Sequence, residues 1–107
     1  MFTASKDIPY VELGGGVKRK ILSYDERIMA VEVDFEKGAI GAMHTHPHSQ
    51  ISYVLSGRFE ATIDGVTKII EKGDTYVTAP NAPHGVICVE AGTLLDVFTP
   101  MREDFLK

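Results

Sequence analysis

Apolar and polar side chains alternate along much of this chain with a period of two. From Ile28 to Phe35, Met29, Val31, Val33 and Phe35 fall on one side and Glu32 and Asp34 on the other, as a half-buried strand requires. Glu36-Lys37-Gly38 then turns the chain. Ile51 to Leu55 is an apolar run of strand formers, Ser56-Gly57 interrupts it, and Phe59, Ala61 and Ile63 point one way from the next strand. The two segments are expected to form a hairpin. Asp64-Gly65 is a strong two-residue hairpin signal because both positions tolerate positive φ, and Val66 to Ile70 is the returning strand. After a turn at Glu71-Lys72-Gly73-Asp74, further strands are expected over Thr75 to Thr78, Val86 to Val89 and Thr93 to Phe98. Val17 to Tyr24 starts the series after the flexible Gly14-Gly15-Gly16, and only Met101 to Leu106 could form a helical turn or two. About eight to ten short strands parted by glycine, proline and aspartate turns favour an all-β antiparallel sandwich or barrel over any α/β arrangement.

Composition narrows the class. A chain of 107 residues supports one core and not two, so residues 1–107 are expected to form one domain. With 44% hydrophobic and 24% charged residues, disordered and fibrous classes are excluded. The lone Cys88 can form no internal disulfide and fits a reducing compartment. No apolar run approaches the roughly 20 residues that span a bilayer, and the first residues lack a secretory pattern, so a cytoplasmic protein without a membrane partner is expected. Fifteen acidic against 11 basic side chains leave a net charge of −4 with no basic block, which argues against a nucleic-acid partner.

Histidine is scarce but unevenly placed: of the four, His44, His46 and His48 lie within five residues. On an extended strand, residues two apart share a face, so the imidazoles of His44 and His46 can converge on one ion. Gln50 adds a side-chain oxygen, and His84 adds a third imidazole from beyond Ala79-Pro80-Asn81-Ala82-Pro83. Three nitrogens and one oxygen suit zinc, nickel, iron, manganese or cobalt. On spacing alone the same histidines are equally compatible with exposed loop residues. His48 has the same parity, but Pro47 leaves its direction open, and a supporting or solvent-facing position is expected for it.

Gly38 to Gly57 reads G-x5-H-x-H-x3-Q-x6-G, which resembles the first motif of the cupin family with Gln50 where glutamate is usual. Gly73 to His84 resembles the second, with Ala79 in place of proline and Asn81 in place of a glycine in a left-handed turn, a conformation asparagine tolerates. Cys88, where asparagine is frequent, reads as a small buried hydrophobe. The resemblance implies a jelly-roll-like antiparallel barrel, the double-stranded β-helix, ending in a short helical turn and holding a metal among inward side chains. Leu94 to Leu106, with Val31-Glu32-Val33, Phe35 to Gly41 and His44 to Gln50, is further similar to the KdgF family of pectin-degradation cupins.

That resemblance implies linearisation of 4,5-unsaturated monouronates, the products of pectin and alginate lyases, into open-chain keto sugars. It carries over the metal set His44, His46, Gln50 and His84, and a catalytic and substrate-binding set Asp96, Phe98 and Arg102 in the spacing D-x-F-x3-R. Asp96 would be the acid/base, since a carboxyl against apolar walls can be shifted toward working pH. Arg102 would offer a planar fork to the substrate carboxylate. Phe98 would shape the pocket against the sugar ring. One divalent transition ion is implied, nickel or zinc foremost and iron or manganese otherwise; with neutral Gln50 among its ligands it keeps its full charge. A cupin dioxygenase and a non-enzymatic sugar-binding cupin are the rival readings, the second disfavoured because the chain has no room for an effector domain. A homodimer is expected, because a small antiparallel domain has sheet edges to protect.

Overall fold

The alternation of residues 17–35 becomes the start of an antiparallel ladder in the computed structural model, which describes residues 1–107. Eight strands follow one another: β1 Val11–Gly14, β2 Val17–Tyr24, β3 Met29–Phe35, β4 Ile40–His44, β5 Ser49–Ile63, β6 Val66–Glu71, β7 Thr75–Thr78 and β8 His84–Thr99. Short 3-10 turns stand at Ser5–Asp7 and Glu103–Leu106, the second within the expected helical segment. No helix is long and apolar enough to cross a membrane.

β5 and β8 run side by side and organise everything else. Near Ser49–Ser56 and Thr93–Thr99 they pair with each other, with β7 outside β5 and with β3, β2 and β1 outside β8. Near Arg58–Ile63 and His84–Glu90 they pair again, now flanked by β6 and β4. Two antiparallel layers therefore share two long strands, the jelly-roll arrangement of a cupin barrel. Phe35, Val54 and Leu94 from one layer meet Phe59, Ala61, Val86 and Cys88 from the other in one core cluster. The Phe35 and Phe59 rings touch edge to face at 5.2 Å. Each fully buried side chain of this size contributes roughly 1.5–3 kcal/mol. Cys88 is 1% exposed within this cluster, and burial pushes its thiol up, in keeping with a small hydrophobe.

Two expectations about these strands are corrected. Residues 51–55 and 59–63 are not the arms of a hairpin, and residues 86–89 and 93–98 are not separate strands; each pair is one continuous strand, β5 and β8. The register between them slips around Ser56 to Arg58, and Gly57 takes φ 81° there. A Cβ on Gly57 would stand 2.6 Å from the carbonyl oxygens of Glu90 and Ala91. The glycine thus makes a bulge that bends both strands from one layer into the other, where a hairpin would reverse the chain. The hairpin at Asp64-Gly65 forms as expected, with Ile63 opposite Val66 and both turn residues at positive φ. Asn81 likewise adopts the left-handed conformation, φ 65°.

Candidate active site and metal centre

The ladder carries polar side chains inward on two adjacent rungs. One rung runs Val31, Asp96, Ser52, Tyr76 across β3, β8, β5 and β7; the next runs Met29, Phe98, Gln50, Thr78. Ser52 and Thr78 are fully buried, and the Gln50 side chain is nearly so. Burying polar groups is costly unless they are bonded; Gln50 and Ser52 are bonded in a chain, whereas the Thr78 hydroxyl has no protein partner. Gln50 Nε2 donates to Ser52 Oγ at 2.9 Å, and Ser52 donates to Asp96 Oδ1 at 2.6 Å. Burial pushes the Asp96 carboxyl up to about 6, against the opposing pull of Ser52, Gln50, His44 and Arg102. The Tyr76 hydroxyl is raised as well, by burial and then by the negative charge of Asp96.

The second layer brings the histidines. His44 at the end of β4 is paired across the ladder with His84 at the start of β8, and their rings lie 4.2 Å apart. His46 does not lie on a strand with His44, as the spacing suggested. It sits in the link between β4 and β5, where its carbonyl accepts from Asn81 N. Pro47, which cannot donate to a ladder, follows it. The ring of His46 still reaches the others: ligand atoms of His44, His46 and His84 all lie within 4.8 Å of one another.

The chemistry of these donors fits a cation. Each Nδ1 meets a backbone carbonyl, His44 that of Ala42 at 2.8 Å, His46 that of His48 at 3.1 Å and His84 that of Ala82 at 2.9 Å. Carrying the proton on Nδ1 leaves Nε2 as the free lone pair, the arrangement that orients metal-binding imidazoles. His84 Nε2 is buried with no protein partner. His46 Nε2 faces Gln50 Oε1 at 2.9 Å, so two lone pairs meet where only a proton or a cation between them is favourable. Burial, then the charges of their neighbours, lower the pKa of both His46 and His84, which keeps them in the neutral form a metal needs. These three imidazoles could hold an ion, with the Gln50 oxygen beside the Nε2 of His46. His48 stands outside the group, its ring 5.4 Å from His46 and 6.4 Å from Phe98, and it enters only through the carbonyl that orients His46.

Beside the histidines opens a cavity of about 420 Å³, within the range of small-molecule sites. Asp96, Phe98, Arg102, His44, His84 and Gln50 all line it. Phe98 is 3% exposed, with its ring 5.7 Å from those of His46 and Phe105. Arg102 lies 5.0 Å over Phe98 and 4.2 Å over Phe105, and its fork is held bidentately by Asp104 at 3.0 and 2.8 Å. Sequence reasoning missed Arg19, Ser52, Tyr76 and Phe105. Ser52 and Tyr76 reach the site only through the rung they share with Asp96. For Arg19 a signal existed: it has the inward parity of Val17 and Ile21, where a charge is out of place.

Comparison with known proteins agrees with this fold. A model of the cupin domain matches residues 31–98. The chain is 47% identical over 102 residues to the pectin degradation protein KdgF of Dickeya dadantii (strain 3937), covering 94% of this chain and 93% of that protein. The crystal structure of an RmlC-like cupin from Shewanella frigidimarina superposes with a TM-score of 0.95 at 42% identity, covering 97% of this chain and 94% of the other. The structure of KdgF from Halomonas sp. superposes with a TM-score of 0.93 at 34% identity, covering 98% and 97%.

Proposed function

The chain belongs to the cupin family and, within it, to the group of the pectin-degradation protein KdgF, and from that premise we propose that it is a metal-dependent enzyme linearising 4,5-unsaturated monouronates. Such sugars arise from pectin or alginate lyase digestion. The reaction is an isomerisation. As the C1 hydroxyl loses its proton, the bond from C1 to the ring oxygen breaks and C1 becomes an aldehyde. The former ring oxygen is left as an enolate on C5, and a proton added at C4 turns it into the ketone. The net change is one proton moved from O1 to C4, with no oxidant or reductant consumed.

The observation that carries this reading is Asp96, a half-buried carboxyl bonded to Ser52 on the cavity wall and raised to about 6 by burial. A carboxyl so placed can accept and return a proton near neutral pH, which is general acid/base work. Ser52 and Gln50 fix its orientation through their chain of hydrogen bonds. Phe98 offers its ring as a flat wall for the sugar. Arg102 lends positive charge to the side of the cavity that takes the carboxylate. A divalent ion on His44, His46, His84 and Gln50, nickel or zinc foremost and iron or manganese otherwise, supplies Lewis-acid stabilisation of negative charge on a substrate oxygen when bound.

The protein is further proposed to work in the cytoplasm as one cupin domain, with the uronate as its small-molecule partner and a second copy at one of its edges. Four strands, β1, β4, β6 and β7, each pair on one side only. Sedimentation equilibrium reads the oligomeric state directly, and a monomer at micromolar concentration would remove the dimer from the proposal.

Activity is tested by adding metal-loaded protein to unsaturated galacturonate under anaerobic conditions and following the ring alkene absorbance. The expected outcome is loss of absorbance faster than the spontaneous ring opening. No acceleration sinks the linearisation reading. Substrate-dependent oxygen uptake in air would point to a dioxygenase, and tight binding without turnover to a sugar-binding cupin.

A further inference from the structure

One cation that faces inward in this molecule makes no ion pair of its own. Lys18 pairs with Asp34, Lys20 with Glu32, Arg58 with Glu71 and Glu90, and Arg102 with Asp104. Lys6, Arg27, Lys37, Lys68, Lys72 and Lys107 are solvated surface charges, for which the lack of a partner means nothing. Arg19 differs from them in where it points. It is opposite Val33 in the β2–β3 ladder and shares its face with Val17 and Ile21, which pack on the core clusters. Its guanidinium lies 3.7 Å over the Phe105 ring and lines the same cavity as Asp96, His44 and His84.

A partly buried charge without an ion pair is destabilising, since burial strips some of its water and only the more distant Asp104, already bonded to Arg102, opposes the loss. Burial, and then repulsion from Arg102, lower the pKa of Arg19, and the negative charge of Asp104 opposes them only in part. Stacking on Phe105 offsets only part of this cost. A valine or isoleucine at position 19 would satisfy the β2 pattern better. Arg102, by contrast, already spends both arms of its fork on Asp104. The cavity therefore holds two guanidiniums against one aromatic ring, one neutralised within the chain and one not.

We propose that Arg19 is the residue that recognises the carboxylate of the substrate, receiving it on the free fork of its guanidinium beside Arg102. The proposal rests on the reading of this cavity as a uronate site and adds its basis for selecting acidic over neutral sugars. A planar guanidinium binds a carboxylate through two parallel hydrogen bonds, which a lysine ammonium cannot reproduce. The anion supplies the missing counter-charge, so the cost of holding Arg19 inward is recovered on binding. Arg19 acts on binding and not on the proton transfers, which belong to Asp96.

The test compares wild type, Arg19→Gln and Arg19→Lys, all metal-loaded, by turnover of unsaturated galacturonate and by calorimetric titration with galacturonate and with galactose. For Arg19→Gln, KM is expected to rise about 10- to 100-fold, the scale of a lost charge-assisted hydrogen-bonded contact, with kcat within about threefold. Galacturonate affinity should fall by a similar factor while galactose affinity stays unchanged, and Arg19→Lys should recover only part of the loss. Because an unanswered inward charge is removed, the melting temperature of Arg19→Gln should not fall. A KM within about twofold of wild type overturns the proposal, as does an equal loss of affinity for galactose. If wild type fails to turn over the unsaturated sugar, the linearisation reading falls, yet the galacturonate preference still decides Arg19. A wild type that does not prefer galacturonate to galactose overturns Arg19 whether or not turnover is seen.

Discussion

At the scale of one residue, the proposed chemistry rests on Asp96. Its carboxyl is raised by burial while Ser52 and Gln50 donate toward it, so the group is both shifted and aimed. Replacing it by asparagine keeps the shape and removes the proton. Asp96→Asn is expected to lower turnover about 100-fold or more, the scale of lost general acid/base catalysis, while elemental analysis finds the metal content of wild type. Loss of metal in that variant would mean that Asp96 belongs to the ion and not to the proton transfer. Away from the site, Tyr10 provides a test of a titrating group in the scaffold. Its hydroxyl donates to Glu32 at 2.9 Å, and burial, with the nearby negative charge of Glu32, pushes its pKa up to about 12. The folded protein therefore holds this proton more tightly than the unfolded chain. The resulting stabilisation is complete below pH 10 and is lost as pH rises through 12. Tyr10→Phe should show a shallower decline than wild type between pH 10 and 12 in urea unfolding; identical slopes would refute the assignment.

Among the elements, β5 and β8 do the most. Their halves near Gln50, Ser52, Asp96 and Phe98 carry the site, and their halves near Phe59 and Cys88 carry the core. The bend between the halves depends on Gly57, whose positive φ and contact with the backbone of Glu90 and Ala91 leave no room for a side chain. Gly57→Ala combines a strained backbone with a clash against atoms that cannot turn aside. It is expected to cost about 2 kcal/mol or more, read as an earlier urea midpoint; a change below about 0.5 kcal/mol would mean that the bend tolerates a side chain. This bend also explains the strand segmentation misread from sequence. Ser56-Gly57 carries the same local signal for a hairpin turn as for a bulge, and only the partner strand distinguishes them. β4 was missed for a related reason: Ile40-Gly41-Ala42-Met43-His44 has no clean alternation, and its pairing with β8 supplies what its own pattern lacks.

For the whole molecule, the proposed ion would tie β4, the link after it, β5 and β8 together through His44, His46, Gln50 and His84. Anything that binds only the folded state stabilises it, by about 2.7 kcal/mol when present at 100 times its dissociation constant. Chelation is therefore expected to lower the melting temperature by roughly 10 to 20 °C. The β-sheet signal in circular dichroism should survive at room temperature, because the main core of Phe35, Val54, Phe59 and Leu94 includes none of the ligands. Unfolding on chelation would show that the ion is structural. Features that depend on near neighbours were legible in the order of residues: the strand period, the Asp64-Gly65 hairpin, the left-handed Asn81, the buried Cys88, and the motif that brings His44, His46 and Gln50 within one short segment. The family resemblance added Asp96, Phe98 and Arg102. It takes the folded chain to show that Arg19, Ser52, Tyr76 and Phe105 line or support the same cavity and that the Arg102 fork faces Asp104. Those residues meet through the register between strands far apart in the chain. Register is set by the packing of both layers at once, and no local pattern of apolar and polar positions encodes it.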